Sequence, residues 1–93
     1  MHFTWDRAKD KLNQKKHKVS FDEAVTAFYD ENALLIPDLE HSNLEERFIL
    51  LGVSRKFRLL LVSHCYRDNE ETIRLISARK ATQRENLQYE ERL

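Results

Sequence analysis

Glycine, proline and cysteine each occur once in these 93 residues, at Gly52, Pro37 and Cys65. One glycine leaves no loop of the P-loop or dinucleotide-binding kind, because those loops need several glycines for the backbone to approach phosphate. Nucleotide-dependent chemistry of both types is thereby excluded. One cysteine forms no internal disulfide, so a reducing cytosol is the expected compartment. No HExxH, CxxC or other paired Cys/His spacing is present, and neither a structural zinc site nor a cofactor is expected. His64 and Cys65 are neighbours on a strand-like run and point to opposite faces, so they cannot share one metal ion. No apolar run approaches the roughly 18 residues of a membrane helix. The start, MHFTWDRAKDK, lacks the apolar stretch of a secretory signal.

What is present is a folded-globule composition, 41% hydrophobic with five Phe, three Tyr and one Trp. The length suits a single domain spanning 1–93 with modest intrinsic stability. Formal net charge is zero, but the charges are segregated. Residues 1–18 hold Arg7, Lys9, Lys11, Lys15, Lys16 and Lys18 against Asp6 and Asp10, a balance of +4. Residues 19–46 hold eight carboxylates and no Lys or Arg; residues 47–67 hold five Arg or Lys and no acid. The remainder balances to −1. Because fields act within a Debye length of about 8 Å, two basic segments form one basic patch if the fold brings them together. A polyanion is the simplest partner for such a patch. The neutral total predicts selective or transient contact and weak non-specific binding.

The order of elements follows from caps and periods. Asp6 is the N-cap of a helix that runs without Gly, Pro or β-branched residues to Lys18, with Ala8 and Leu12 on one face. Ser20 opens a second helix, with Glu23 completing a capping box and Phe21, Ala24, Val25 and Phe28 forming its apolar face. Strands are expected at Asn32–Ile36 (ending at Pro37), Glu46–Val53, Arg58–Tyr66 and Thr72–Ser77, joined by short loops as an antiparallel meander. A closing helix is expected over Ala78–Arg92. The fold class is α+β: two N-terminal helices, an antiparallel β-sheet of about four strands, and a C-terminal helix.

Four blocks carry a family resemblance: F-T-W-D-R-A-K at 3–9, N-Q-K-K-H-K-V-S-F-D-E-A at 13–24, the stretch Asp38…His41-Ser42…Glu46-Arg47, and R-L-I-S-A-R-K-A-T at 74–82 followed by Glu85 and Tyr89. With these blocks in order over nearly its whole length, the chain resembles the BrnT-type toxins of bacterial type II toxin–antitoxin modules, which have a RelE-like ribonuclease fold. Two departures are visible. Lys18 stands where the family commonly has Gly, which should tighten the helix corner, and the Arg67-Asp68-Asn69 turn lacks the Gly often found there. The resemblance implies a metal-independent endoribonuclease that cleaves cellular RNA and arrests growth. It also implies a cognate ribbon-helix-helix antitoxin that holds the toxin inactive and supplies the DNA-binding half of an autoregulating complex.

Metal-free RNA cleavage uses the neighbouring 2′-hydroxyl as nucleophile. It needs a base for that proton, cations for the phosphorane, and an acid for the departing 5′-oxygen. The candidate proton carriers are His17, His41 and Glu46, with Lys9, Lys16 and Lys80 as further candidates. The cation roles go to Arg47, Arg67 and Arg79, and Arg74 joins Lys9 and Lys16 as an RNA contact. Arg79-Lys80 are expected at the start of the last helix, where the helix N-terminus favours phosphate.

Each candidate also has a purely structural reading. His17 at a helix corner can donate to the last carbonyls, His41 can cap its loop through Ser42, and Arg79 can simply pair with Glu85 or an acidic loop. Glu46 can pair with the neighbours of Arg47, and the lysines of the first helix can form a solvated face. A catalytically silent module that binds an antitoxin and assists promoter repression suits the neutral net charge as well. A DNA-reading helix-turn-helix is disfavoured, because the second helix carries Asp22, Glu23 and Asp30.

Overall fold

Asp6 starts the first helix as the sequence predicts: its Oδ1 accepts hydrogen bonds from the backbone N–H of Ala8 and Lys9 at 2.8 and 3.2 Å. The structure, a computed structural model, describes residues 1–43 and 45–93. In chain order the elements are β1 (His2–Thr4), α1 (Arg7–His17), α2 (Phe21–Ala27), β2 (Leu34–Pro37), a 3-10 turn (Leu39–His41), β3 (Phe48–Val53), β4 (Leu59–Arg67), β5 (Thr72–Lys80) and α3 (Gln83–Glu90). The sheet order is β1-β5-β4-β3-β2.

The α+β class holds, and the sheet is larger and mixed. The β2-β3-β4-β5 meander is antiparallel, and β1 adds a fifth strand parallel to β5. Three residues have no readable period; β1 exists because β5 offers an otherwise unpaired edge of N–H and C=O groups. Phe3 of this strand then packs edge-on against Phe28, with centroids 5.1 Å apart.

A second correction concerns the end of the chain. Ala78, Arg79 and Lys80 continue β5 and do not begin a helix. Their pairing with Val62, Leu61 and Leu60 extends the β4–β5 ladder three residues beyond the expected end. The closing helix starts only after Thr82. There Thr82 Oγ1 accepts from Glu85 N–H, and Glu85 returns a carboxylate oxygen to Thr82 N–H, a complete capping box. The box expected at Ser20 is half formed. Ser20 Oγ accepts from Glu23 N–H at 3.1 Å, but the Glu23 carboxylate turns inward to Arg58 and Ser54.

One face of the sheet carries the core. Val19, Phe21, Ala24 and Ala27 meet Leu50, Leu60, Val62, Ile73, Leu75 and Ala78 there. The face of α2 is the expected one, whereas α1 docks differently. Leu12 is exposed, and the buried residue of α1 is Asn13. Its amide donates to the carbonyls of Val19 and Ala78, both at 2.8 Å, and accepts from Ala78 N–H at 3.1 Å. A polar side chain thus pins this lysine-rich helix to β5. The single glycine is demanded by contact: a Cβ on Gly52 would sit 2.6 Å from the carbonyl oxygen of Ala27.

The corner after α1 joins the two basic segments. Lys18 adopts the left-handed conformation, φ 61°, as the residue that ends the helix. Arg58 donates to its carbonyl at 3.0 Å and pairs through two nitrogens with the fully buried Glu23. The guanidinium of Arg58 holds the Glu23 carboxyl below its usual range, outweighing the upward push of burial.

Candidate active site

The face of the sheet opposite the core carries a cleft of about 460 Å³. Its floor follows from strand alternation. Ile49 pairs with Ser63, Ser63 with Ser77, and Leu61 with Arg79, so these side chains share one face. Its walls come from His17 at the end of α1, from Asp38, Glu40, His41 and Arg47, and from Glu85 on α3.

The Asp38–Arg47 segment is held by its own polar groups. Asp38 Oδ2 lies 2.9 Å from His41 Nδ1. Ser42 Oγ donates to the Asp38 carbonyl at 2.6 Å and accepts from Arg47 N–H at 3.0 Å, while Asp38 N–H donates to the Arg47 carbonyl at 2.8 Å. A carboxylate only accepts, so Nδ1 of His41 is the donor to Asp38, and the neutral tautomer that fits this contact carries its lone pair on Nε2. Among the described residues no carboxylate pairs with Arg47, and its buried Nε has no hydrogen-bond partner. An unpaired guanidinium beside an oriented imidazole is a ready anion site.

Arg79 is engaged differently. Its two terminal nitrogens donate to the two oxygens of Glu85 at 2.9 and 3.0 Å. Glu85 raises the guanidinium pKa, and Arg79 in turn holds the Glu85 carboxyl below its usual range against the opposing effect of burial. The cleft therefore holds two guanidinia against three carboxylates, with two histidines beside them.

The structure brings together four of the sequence-derived candidates: His17, His41, Arg47 and Arg79. Lys9 and Lys16 line a groove between α1 and β5 that shares His17, Ile76 and Ser77 with the cleft. Glu46 and Arg67 lie apart, in a concavity with Phe48, Tyr66 and Glu70, and Arg67 is paired with Glu45 at 3.1 Å. Arg74 pairs with Cys65 further along β5 and does not line the cleft. Lys80 is exposed at the end of β5, not at a helix N-terminus. Ser63 and Ser77 were missed as lining residues; the signal was a lone serine within each of two apolar strands. Asp38 was noted only as a motif member, although Asp38 and His41 stand three residues apart, the reach of a tight turn, and Glu85 was read only as a structural partner of Arg79, which it is.

The model of the family described as the ribonuclease toxin BrnT of type II toxin–antitoxin systems matches residues 5–85. The chain belongs to the BrnT family. Toxins of this family are ribonucleases, and membership brings an antitoxin partner. The crystal structure of the Brucella abortus ribonuclease toxin BrnT is similar, with a TM-score of 0.68 and 22% identity over 89% of this chain and 99% of that one. At that identity the likeness speaks for the fold, and it agrees with three helices on a five-stranded mixed sheet. No curated protein matches the chain. Among its described residues no helix is long and apolar enough to cross a membrane. The BrnT resemblance read from four sequence blocks is thus borne out. The cleft described above lies on segments that contributed three of them: His17, the Asp38–Arg47 stretch, and Arg79 with Glu85.

Proposed function

We propose that this BrnT-family toxin is a metal-independent endoribonuclease whose cleft cleaves cellular RNA by transesterification. The observation that carries the reading is the unpaired Arg47 guanidinium beside the Asp38-oriented His41. The scissile phosphate sits on Arg47. His41, with its free lone pair on Nε2, takes the proton of the 2′-hydroxyl as that oxygen attacks phosphorus. The bond to the 5′-oxygen breaks, and His17 from α1 returns a proton to that leaving group. The products are a 2′,3′-cyclic phosphate and a free 5′-hydroxyl. Arg47 and Arg79 stabilise the charge that gathers on the non-bridging oxygens, a role in which one removed donor typically costs about 10²–10³ in rate. Arg79 serves this role by exchanging one of its two bonds to Glu85 for a phosphate oxygen. Lys9, Lys16 and Lys80 then act as phosphate contacts outside the reacting centre, as do Arg67 and Arg74. Glu46, away from the cleft, takes no proton.

A ribbon-helix-helix antitoxin neutralises this cytoplasmic toxin by laying an acidic or amphipathic segment over the same charges, which blocks RNA by occupancy. Operator DNA is reached only through that complex. The test is expression in bacteria. His41→Ala and Arg79→Ala proteins should no longer arrest growth yet should still bind the antitoxin; undiminished toxicity of both variants rejects the site. Equal RNA cleavage by the free toxin and by its stoichiometric complex with antitoxin rejects the occupancy mechanism.

The silent-module alternative draws its support from Arg79, whose charge is already matched by Glu85. Folded wild-type protein that binds antitoxin but leaves RNA intact, with and without translating ribosomes, would favour it.

A further inference from the structure

The tip of the β3–β4 hairpin has an unusual occupant. Ser54 accepts from Phe57 N–H at 2.9 Å and donates its own N–H to Arg58 at 2.8 Å, which closes a three-residue loop, Arg55-Lys56-Phe57. In such a loop the third residue is left-handed and is ordinarily Gly or Asn. Here Phe57 fills it at φ 61°. A bulky L residue carries a conformational penalty in that region. No packing repays it, because Phe57 is 90% exposed, the most exposed large hydrophobic among the described residues. Folding alone therefore gives no reason for an aromatic ring at this position.

The surroundings are cationic. Arg55 and Lys56 precede the ring and are exposed. The same end of the molecule holds Lys18, whose carbonyl is bonded by Arg58, and Lys80, which pairs with Leu60 at the start of β4. Arg58 itself is committed to Glu23 and is not counted among the free charges. Lys18 follows directly on His17 of the cleft, so the basic end is continuous with the candidate active site. The cleft, with three carboxylates against two guanidinia, attracts a polyanion weakly by itself, so capture needs cations elsewhere.

We propose that this hairpin tip is a second RNA contact, at which an unpaired base of a single strand stacks on Phe57 while Arg55 and Lys56 take the flanking phosphates. The inference rests on the ribonuclease reading and adds to it a site outside the cleft. Stacking on an exposed aromatic is tolerant of sequence, and a base on a ring beside lysines is the usual grammar of single-strand binding. Duplex RNA, whose bases are already stacked, gains nothing from Phe57.

The test is fluorescence anisotropy with a labelled 12-nucleotide 2′-O-methyl pyrimidine strand, which binds but cannot be cleaved, at several salt concentrations. Phe57→Ala should weaken binding about 5- to 150-fold, with an unchanged salt slope. Phe57→Trp should bind like wild type. Lys56→Gln should lower the salt slope by about 0.7, the value for one lost phosphate contact on a single strand. Because the ring packs so little, Phe57→Ala should melt at or above the wild-type temperature, which separates lost contact from lost fold. Binding by Phe57→Ala within twofold of wild type overturns the proposal; if that variant instead loses antitoxin, the tip belongs to the antitoxin. Cleavage of the unmodified strand by wild type is followed in parallel. Phe57-dependent binding with RNA left intact, both here and in the presence of translating ribosomes, keeps the RNA contact and overturns the nuclease reading; cleavage with Phe57-independent binding does the reverse.

Discussion

Arg79 and Glu85 meet through two parallel hydrogen bonds, 2.9 and 3.0 Å, that join the last residues of β5 to the first turn of α3. One oxygen of the same carboxylate also closes the capping box on Thr82 N–H at 2.9 Å. Glu85 therefore does two structural tasks while it occupies a guanidinium of the cleft. Glu85→Ala should lower stability by roughly 1–2 kcal/mol, mostly through the lost cap, since the pair itself is partly solvated. Urea unfolding checks this. Arg79→Lys should keep the charge and lose the two-point geometry, so cleavage should fall nearly as far as in Arg79→Ala.

Asn13 is a single-residue lock between α1 and the sheet. Its replacement by Ala leaves the Val19 and Ala78 carbonyls and the Ala78 N–H without their partner. The expected loss is roughly 2–4 kcal/mol, a large share of the stability of a chain this size. His17 stands one turn further along the same helix, so its position over the cleft depends on this lock. Asn13→Ala protein that remains folded should show reduced RNA cleavage with antitoxin binding retained.

Lys18 ends α1 in the left-handed region, φ 61° and ψ 30°, which Gly adopts without steric cost. Lys18→Gly should raise stability by about 0.5–1 kcal/mol, the relieved strain exceeding the added freedom of the unfolded chain. Thermal melting reads the change. The carbonyl that accepts from Arg58 is kept in the variant.

His64 is fully buried among Phe28, Phe48 and Tyr66, with Nδ1 3.1 Å from the Val62 carbonyl oxygen. Burial pushes its pKa below the ordinary 6.5, against a smaller upward effect of the Val62 carbonyl. With the folded pKa depressed, the unfolded chain binds the extra proton first. Stability is then complete above pH 6.5 and falls as pH drops towards the folded value, by up to about 1.4 kcal/mol per unit. Glu23 and Glu85, also depressed, act in the same direction but only below pH 4.5. Urea unfolding between pH 7 and 5 should show the slope in wild type and a shallower one in His64→Leu.

The legible parts of this fold were those with local chemistry. Asp6 and Ser20 declare helix starts because their side chains cap the neighbouring amides, and the apolar period of α2 declares its buried face. The start of α3 was equally written in Thr82 and Glu85, but R-L-I-S-A-R-K-A has no breaker between strand and helix, so the boundary slid to Ala78. The strand β1 and the Asn13 lock depend on partners 60 or more residues away and leave no local trace. In the site, residue types were readable and their neighbourhood was not. Four candidates converge because β-alternation and the Asp38–Arg47 turn place them on one face. Arg67 shares that face by alternation but lies beyond Ser63, past the bulge in the β4–β5 ladder.

On the proposed mechanism the Arg47–His41 cleft cuts RNA without a metal ion. The direct measurement is incubation of antitoxin-free protein with total bacterial RNA in excess EDTA, alone and with translating ribosomes, followed by end-group analysis. The expected result is fragments ending in 2′,3′-cyclic phosphate, formed by wild type and reduced at least 10²-fold in Arg47→Ala and His41→Ala. Intact RNA under both conditions, or cyclic-phosphate fragments formed equally well by the two variants, would contradict it.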